Sequence, residues 1–304
     1  MLRRFIGLIL LLTISVVLVG CGEKEKTIKV YTRDTTSGTR DGFFSTIGFS
    51  EAVTDNTVLA DGYVEVDSNG GMITAVKNDE FAIGYISLTS LEAANVKGLS
   101  FNGVKPTEAN VLNGTYALTR NFNYIVGNDF TNQTEAEIVE AFLAFLTTSD
   151  AKSTIISEGG ITEINNEDPS WNDIKADYPI SNKDNSEITI KFGGSTSVEK
   201  IAKALSAEFS AKCGNFIFEH NHTGSGDAYK RTQGSEKSGT NALHIAFASR
   251  DFKDSEEATL GTSGKICIDA IVAVVNKTND LDNITEVTMK KIYDGTITKW
   301  GEIE

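Results

Sequence analysis

The sequence is short of the side chains on which most metal and nucleophile chemistry depends. It carries three cysteines and three histidines in 304 residues. Beyond Cys21, the cysteines are Cys213, at the end of a predicted helix, and Cys267, in a predicted strand. Nothing fixes a distance between them, and the expectation is two unpaired structural thiols. No Cys/His spacing reads as zinc. His220 and His222 stand in "EHNHTG" without a further ligand cluster, so a solvated loop is expected there and no metal. No Ser-His-Asp order is evident, which makes an enzyme the least expected class, with no cofactor. The glycines form neither a dinucleotide fingerprint nor a P-loop, since no G-K-[ST] is present. Positive charge is also scarce: 28 Lys and Arg stand against 42 Asp and Glu, a net charge of −14. That balance excludes nucleic acid, which attracts basic faces. It also means that bulk charge will not steer an anion inward, so an anion site must work through local donors and dipoles. After Cys21 no run approaches the ~20 apolar residues of a spanning helix.

What is present begins with the leader. "MLRRFIGLILLLTISVVLVGCG" has Arg3 and Arg4, then an apolar run from Phe5 to Val19, then Cys21. This is the pattern of a secretory signal. The tetrapeptide "LVGC" resembles the lipobox of bacterial lipoproteins. The resemblance implies a signal peptide over 1–20, a lipidated Cys21 with a short tether over 21–27, and a place on the outer face of the cell membrane.

Strand-like and helix-like stretches then alternate, which means α/β architecture. "IKVYTR" (28–33), "FAIGYISL" (81–88), "NFNYIVG" (121–127), "ITIKFGG" (188–194) and "ICIDAIVAVVN" (266–276) read as strands. Helices are expected after Ser68, across 134–156, across 197–209 and across 287–295 with Thr285 as a cap. Residues 159–187 are polar and rich in turn formers, and read as a surface connection.

Four segments share one character: "RDTTSGTRD" (33–41), "FGGSTSVEK" (192–200), "HTGSGDAYK" (222–230) and "FASRDF" (247–252). Each sets Gly, Ser or Thr after a strand or before a helix. Free N–H groups at a helix start and the helix dipole favour negative charge. Small residues let an anion reach the backbone, hydroxyls add donors, and arginine adds a charged fork. One such turn is an ordinary cap. Four, two of them with arginine, point to a tetrahedral oxyanion.

At these residues the chain resembles the phosphate-binding lipoproteins of ABC-type phosphate importers. "ITIKFGGSTSVEKIAKALSAEF" is similar to that family's first strand, turn and helix, and "IAFASRDFKDSE" to its A-S-R segment. "ICIDAIVAVVNKTNDLDNITEVTMKKIYDGTITKW" resembles its lobe-crossing strand and the helix ending in G-x-I-x-x-W. "VYTRDTTSGTRDGFF" matches its R-x-x-x-S-G-T-R turn, and "AIGYISL" and "VEAFLAFLTTSDAKSTII" match later parts. The order differs: here the S-G-T-R half comes first, so the sequence reads as a circular permutation.

The resemblance implies an α/β, two-lobed, type II periplasmic-binding-protein fold with the ligand in the cleft. One lobe would comprise 118–270, and the other 28–117 with 271–304. Phosphate would meet Thr196, Ser197, Ser225 and Ser249 from the first lobe and Arg33, Ser37, Gly38 and Thr39 from the second. Arg40 is open between a part in the anion clamp and a solvated or structural ion pair with Asp41. Some family members carry an aspartate where this chain has Arg250; Asp269 is expected instead to accept the proton of the phosphate and so to reject sulfate, or else to cap a turn. "KRTQGSEKSGTN" looks longer than the family's segment. The partners implied are inorganic phosphate, permease subunits and the membrane through the lipid, with the protein a monomer. Binding of sulfate, molybdate or tungstate is the alternative, as is a surface sensor or adhesion protein.

Overall fold

The structure is a computed structural model and describes residues 26–130 and 132–303. The leader and Cys21 lie outside the described residues. Strands are Lys29–Arg33 (β1), Val64–Val66 (β2), Ala82–Ser87 (β3), Lys97–Gly98 (β4), Ser100–Phe101 (β5), Thr119–Val126 (β6), Thr189–Gly194 (β7), Ile217–His222 (β8), Ile245–Ala248 (β9), Ser263–Val275 (β10) and Asn283–Ile284 (β11). The main sheet runs β2-β1-β3-β10-β6-β9-β7-β8, with β4 also on β10 and with β5 and β11 paired apart. β1 is parallel to β2 and β3, and β7 is parallel to β8 and β9. Between these parallel groups lies β10, antiparallel to both of its long neighbours.

The 13-residue β10 joins the two halves. Its residues 263–270 pair with β6 and 271–275 pair with β3. Two large apolar cores follow the same division. One gathers Val30, Phe43, Phe44, Tyr85, Ile271 and Tyr293. There the Phe43 ring stacks on Tyr85 with centroids 4.0 Å apart. The other gathers Phe122, Phe142, Phe145, Trp171, Phe192 and Phe209. The helix Gln133–Leu146 supplies it with Ile138, Phe142 and Phe145, spaced to fall on one face.

Three local expectations change. The apolar period over 134–156 belongs to two helices, Gln133–Leu146 and Ser149–Ser157. Thr148 Oγ1 accepts from Ala151 N at 3.2 Å and starts the second, a cap that breaks the ladder without breaking the hydrophobic spacing. Residues 159–187 are more than a surface connection, because Trp171 and Ile180 are buried in the second core. Trp171 meets Phe209 edge to face at 5.2 Å. His220 and His222 are not in a loop but on the outer strand β8, half-buried.

The described chain ends meet. Ile28 N donates to Thr298 O at 2.8 Å and Trp300 N to Lys26 O at 3.0 Å. Cys213 and Cys267 are buried and free. Among the described residues no helix is long and apolar enough to cross a membrane.

Candidate functional site

The site is built where strands end. In open α/β sheets the crevice beyond the carboxyl ends of parallel strands collects ligands. Here β1 ends at Arg33, β3 at Ser87, β7 just before Ser195 and β9 just before Ser249. Three helices start at this level: Gly38–Thr46, Asn69–Asn78 and Glu199–Lys212. Free N–H groups at a helix start and the helix dipole favour an anion.

Two hydroxyls organise the cluster. Ser197 Oγ lies 3.0 Å from each of Thr39 Oγ1, Asn69 Nδ2 and Arg120 Nη2. Ser249 Oγ lies 2.9 Å from Ser195 Oγ, 3.0 Å from Ser225 Oγ and 3.2 Å from Arg120 Nη1. Gly38 completes the fit. A Cβ there would stand 2.5 Å from Ser225 Oγ and 2.8 Å from Ser249 Oγ, closer than real carbon atoms approach. The two cores thus touch through small residues.

Arg33 is 1% exposed. Its Nη2 donates to Asp67 O at 2.8 Å and reaches Thr196 Oγ1 at 3.4 Å. Its Nε and Nη1 are buried without a hydrogen-bond partner. Burial lowers the pKa of this guanidinium, and of Arg120, from the ordinary value, yet an arginine stays charged in a protein. An unpartnered buried charge-bearing group is costly, roughly 1–3 kcal/mol or more. The cluster as a whole is rich in donors and poor in acceptors. Such an arrangement suits an anion.

The one acidic side chain among the described buried polar residues is Asp269. Its Oδ2 accepts from Arg120 Nε at 3.0 Å and Nη2 at 2.8 Å, and its Oδ1 from Ser87 Oγ at 2.8 Å. Burial pushes its carboxyl pKa upward, against the pull of Arg120 and these donors. Its visible task is to hold Arg120, a different set of partners from the free acceptor expected of it.

Arg33, Gly38, Thr39, Thr196, Ser197, Ser225, Ser249 and Asp269 therefore come together. Ser37 is buried beside them, with Oγ turned back to cap its helix at Arg40 N, 3.4 Å away. Arg40 is neither solvated nor paired with Asp41. It is fully buried and donates to Ala52 O at 2.8 Å, Arg33 O at 2.7 Å and Asn56 Oδ1 at 2.6 Å. It ties the turn to the segment that carries Ala52 and Asn56. Arg250 forks onto Glu256 at 2.7 and 2.8 Å. The sequence reading missed Asn69, Arg120 and Ser195. Ser195 was in view within "GSTS"; Asn69 was hidden behind its capping neighbour Ser68, and Arg120 is a lone cation at the start of a strand.

The family described as PBP superfamily domain matches residues 21–150 and 176–302. The chain belongs to the PBP superfamily. Among its relatives in that superfamily is the phosphate-binding protein PstS 2 of Streptococcus pneumoniae, 27% identical over 297 residues that cover 94% of each chain. PstS 2 of Streptococcus agalactiae is 24% identical over 306 residues, covering 94% of this chain and 93% of its own. A crystal structure of a phosphate ABC transporter's phosphate-binding protein from Streptococcus pneumoniae superposes with a TM-score of 0.64 at 25% identity, over 91% of this chain and 100% of the other. The α/β, type II periplasmic-binding-protein fold expected from the sequence is the fold of this PBP-superfamily chain. These relatives carry the names of binding proteins, not of catalysts.

Proposed function

We propose that the protein captures inorganic phosphate outside the cell membrane and delivers it to the permease of an ABC importer. The observation that carries this is the donor-rich cluster in which Arg33 keeps two buried nitrogens without partners. A tetrahedral oxyanion supplies the acceptors that Arg33 lacks, and Arg33 Nη2 reaches the hydroxyl cluster through Thr196 Oγ1 at 3.4 Å. The names of the PstS relatives support phosphate as the anion.

In this reading the lobes are 28–117 with 271–304, and 118–270, with phosphate gripped by Arg33, Ser37, Gly38 and Thr39 on one side and Thr196, Ser197, Ser225 and Ser249 on the other. Asp269 serves through Arg120. The protein acts as a monomer held by a lipid on Cys21, and its segment order is a circular permutation. The hydrogen-bonded chain ends support that order, because joined ends are what a permutation needs. Isothermal titration of the purified protein with phosphate tests the function. One phosphate per chain is expected; no heat at millimolar phosphate would remove the proposal.

A further inference from the structure

A hydroxyl has one hydrogen to give and two positions at which to accept. That count sets which way the hydrogens of the cluster run. Ser197 Oγ lies 3.0 Å from Asn69 Nδ2 and 3.0 Å from Arg120 Nη2. A guanidinium nitrogen only donates. The Asn69 amide is oriented by its other end: its Oδ1 accepts from Ser87 N at 3.2 Å, and a backbone N–H cannot accept. Its Nδ2 therefore faces Ser197, and both acceptor positions of Ser197 Oγ are filled by N–H groups. The Ser197 hydrogen is left for Thr39 Oγ1, 3.0 Å away, or for a ligand. Thr39 is 1% exposed, and among the described residues Ser197 Oγ is the one hydrogen-bond partner of its side chain. When Thr39 accepts from Ser197, its own hydrogen has no acceptor.

A second row of hydroxyls runs the same way. Ser249 Oγ accepts from Arg120 Nη1 at 3.2 Å and from Ser195 Oγ at 2.9 Å. Its hydrogen is left for Ser225 Oγ at 3.0 Å, which also accepts from Ser249 N at 2.9 Å. Ser225 is 1% exposed, and among the described residues its hydrogen too has no acceptor. Both rows begin at the Arg120 fork, and their ends flank Gly38. Thr39 follows Gly38 in the chain, and Ser225 Oγ stands 2.5 Å from where a Cβ on Gly38 would be.

We infer that Asn69 is a positioning residue of this site: together with Arg120 it turns the Ser197 and Thr39 hydroxyls outward, so that they donate to a bound anion. The inference rests on the phosphate-binding reading of the same cluster. The hydroxyls by themselves do not fix that direction, because each can turn its hydrogen. Asn69 adds the direction because its amide is held at both ends, by Ser87 N and by Ser197 Oγ.

The test exchanges the donor for an acceptor at this one place. Asn69→Asp keeps an oxygen for Ser87 N but presents a carboxylate oxygen to Ser197, which draws the hydrogen away from the anion. Phosphate affinity is measured at pH 8 by calorimetric titration of the wild-type protein, Asn69→Asp, Ser197→Ala and the double variant, with thermal unfolding of each alongside. Asn69→Asp is expected to weaken phosphate by about a hundredfold or more. In the Ser197→Ala background, where no hydroxyl is left to turn, its cost is expected to be smaller by at least about fivefold. Charge repulsion and a merely structural role of Asn69 act alike in both backgrounds. A cost that differs between them by less than about fivefold overturns the inference and leaves the phosphate reading intact. If the carboxylate prevents folding, Asn69→Ala takes its place. That variant is expected to weaken phosphate by about fivefold in the wild-type background and by less than about twofold in Ser197→Ala, and any other pattern overturns the inference. Absence of phosphate binding by the wild-type protein removes the phosphate reading itself, and the inference with it.

Discussion

At the scale of single residues, function turns on how charges are partnered. Arg33 and Arg40 are both fully buried and seven positions apart, yet they do opposite things. Arg40 spends its donors on Ala52, Arg33 and Asn56, whereas Arg33 keeps two nitrogens free. Arg33→Ala is therefore expected to cost about 2–5 kcal/mol of phosphate binding, ~30-fold or more in Kd. Arg40→Met is expected to show itself as a lower melting temperature before it shows in anion preference. Titration and thermal unfolding of the two variants, side by side, check this; equal losses of binding with equal loss of stability would contradict it. The histidines carry a pH prediction. Ser206 Oγ lies 2.9 Å from His220 Nε2, His220 Nδ1 lies 3.1 Å from His222 Nε2, and His222 Nδ1 lies 3.0 Å from Ser195 O. Burial depresses both rings to about 4, from 6.5. The unfolded chain then binds more protons than the fold between these values, so stability is complete above pH 6.5 and is lost as pH falls toward 4. Thermal melts from pH 7 to 4 are expected to fall less steeply in a His220→Gln, His222→Gln double variant, and an unchanged slope would refute the assignment. The sequence made Arg33 and the hydroxyls visible because their meaning is local to one turn. It could not show that Asp269 holds Arg120, since its partners Arg120 and Ser87 stand 149 and 182 residues away.

At the scale of elements, caps were readable and breaks were not. Ser68 and Thr285 start helices as their neighbours suggest: Ser68 Oγ accepts from Gly71 N at 2.9 Å and Thr285 Oγ1 from Thr288 N at 3.1 Å. The break at Thr147 and Thr148 was masked because apolar residues continue at helical spacing on both sides. Strand β8 was misread because "IFEHNH" sits at the sheet margin, where one strand neighbour and mixed polarity blur the alternation. The turn before Gly38–Thr46 makes a prediction of its own. A methyl group at Gly38 must push Ser225 and Ser249 apart. Gly38→Ala is expected to leave the circular dichroism spectrum unchanged and to weaken phosphate by about tenfold or more, the cost of overpacking being roughly 1–3 kcal/mol. Unaltered affinity would mean that the two halves do not need to meet there.

At the scale of the whole molecule, two cores share one long strand, and the described ends lie side by side. The fold class was legible because alternating strands and helices leave few architectures. The closeness of the ends was expected from the segment order, and the contacts Ile28–Thr298 and Lys26–Trp300 give it a physical form. Linking residue 303 to residue 26 and opening the chain within 159–187 is expected to give a folded, phosphate-binding protein, provided that the break spares Trp171 and Ile180. A linked chain that cannot fold would count against the permutation. With donors on both halves, phosphate is expected to favour the closed arrangement, seen as compaction in small-angle scattering. The most direct test of the central claim is a crystal structure of the protein grown with phosphate. The account places a tetrahedral anion within hydrogen-bond distance of Arg33 Nε and Nη1 and of the Thr39 and Ser197 hydroxyls. An anion bound elsewhere, with those two nitrogens still lacking a partner, would contradict it.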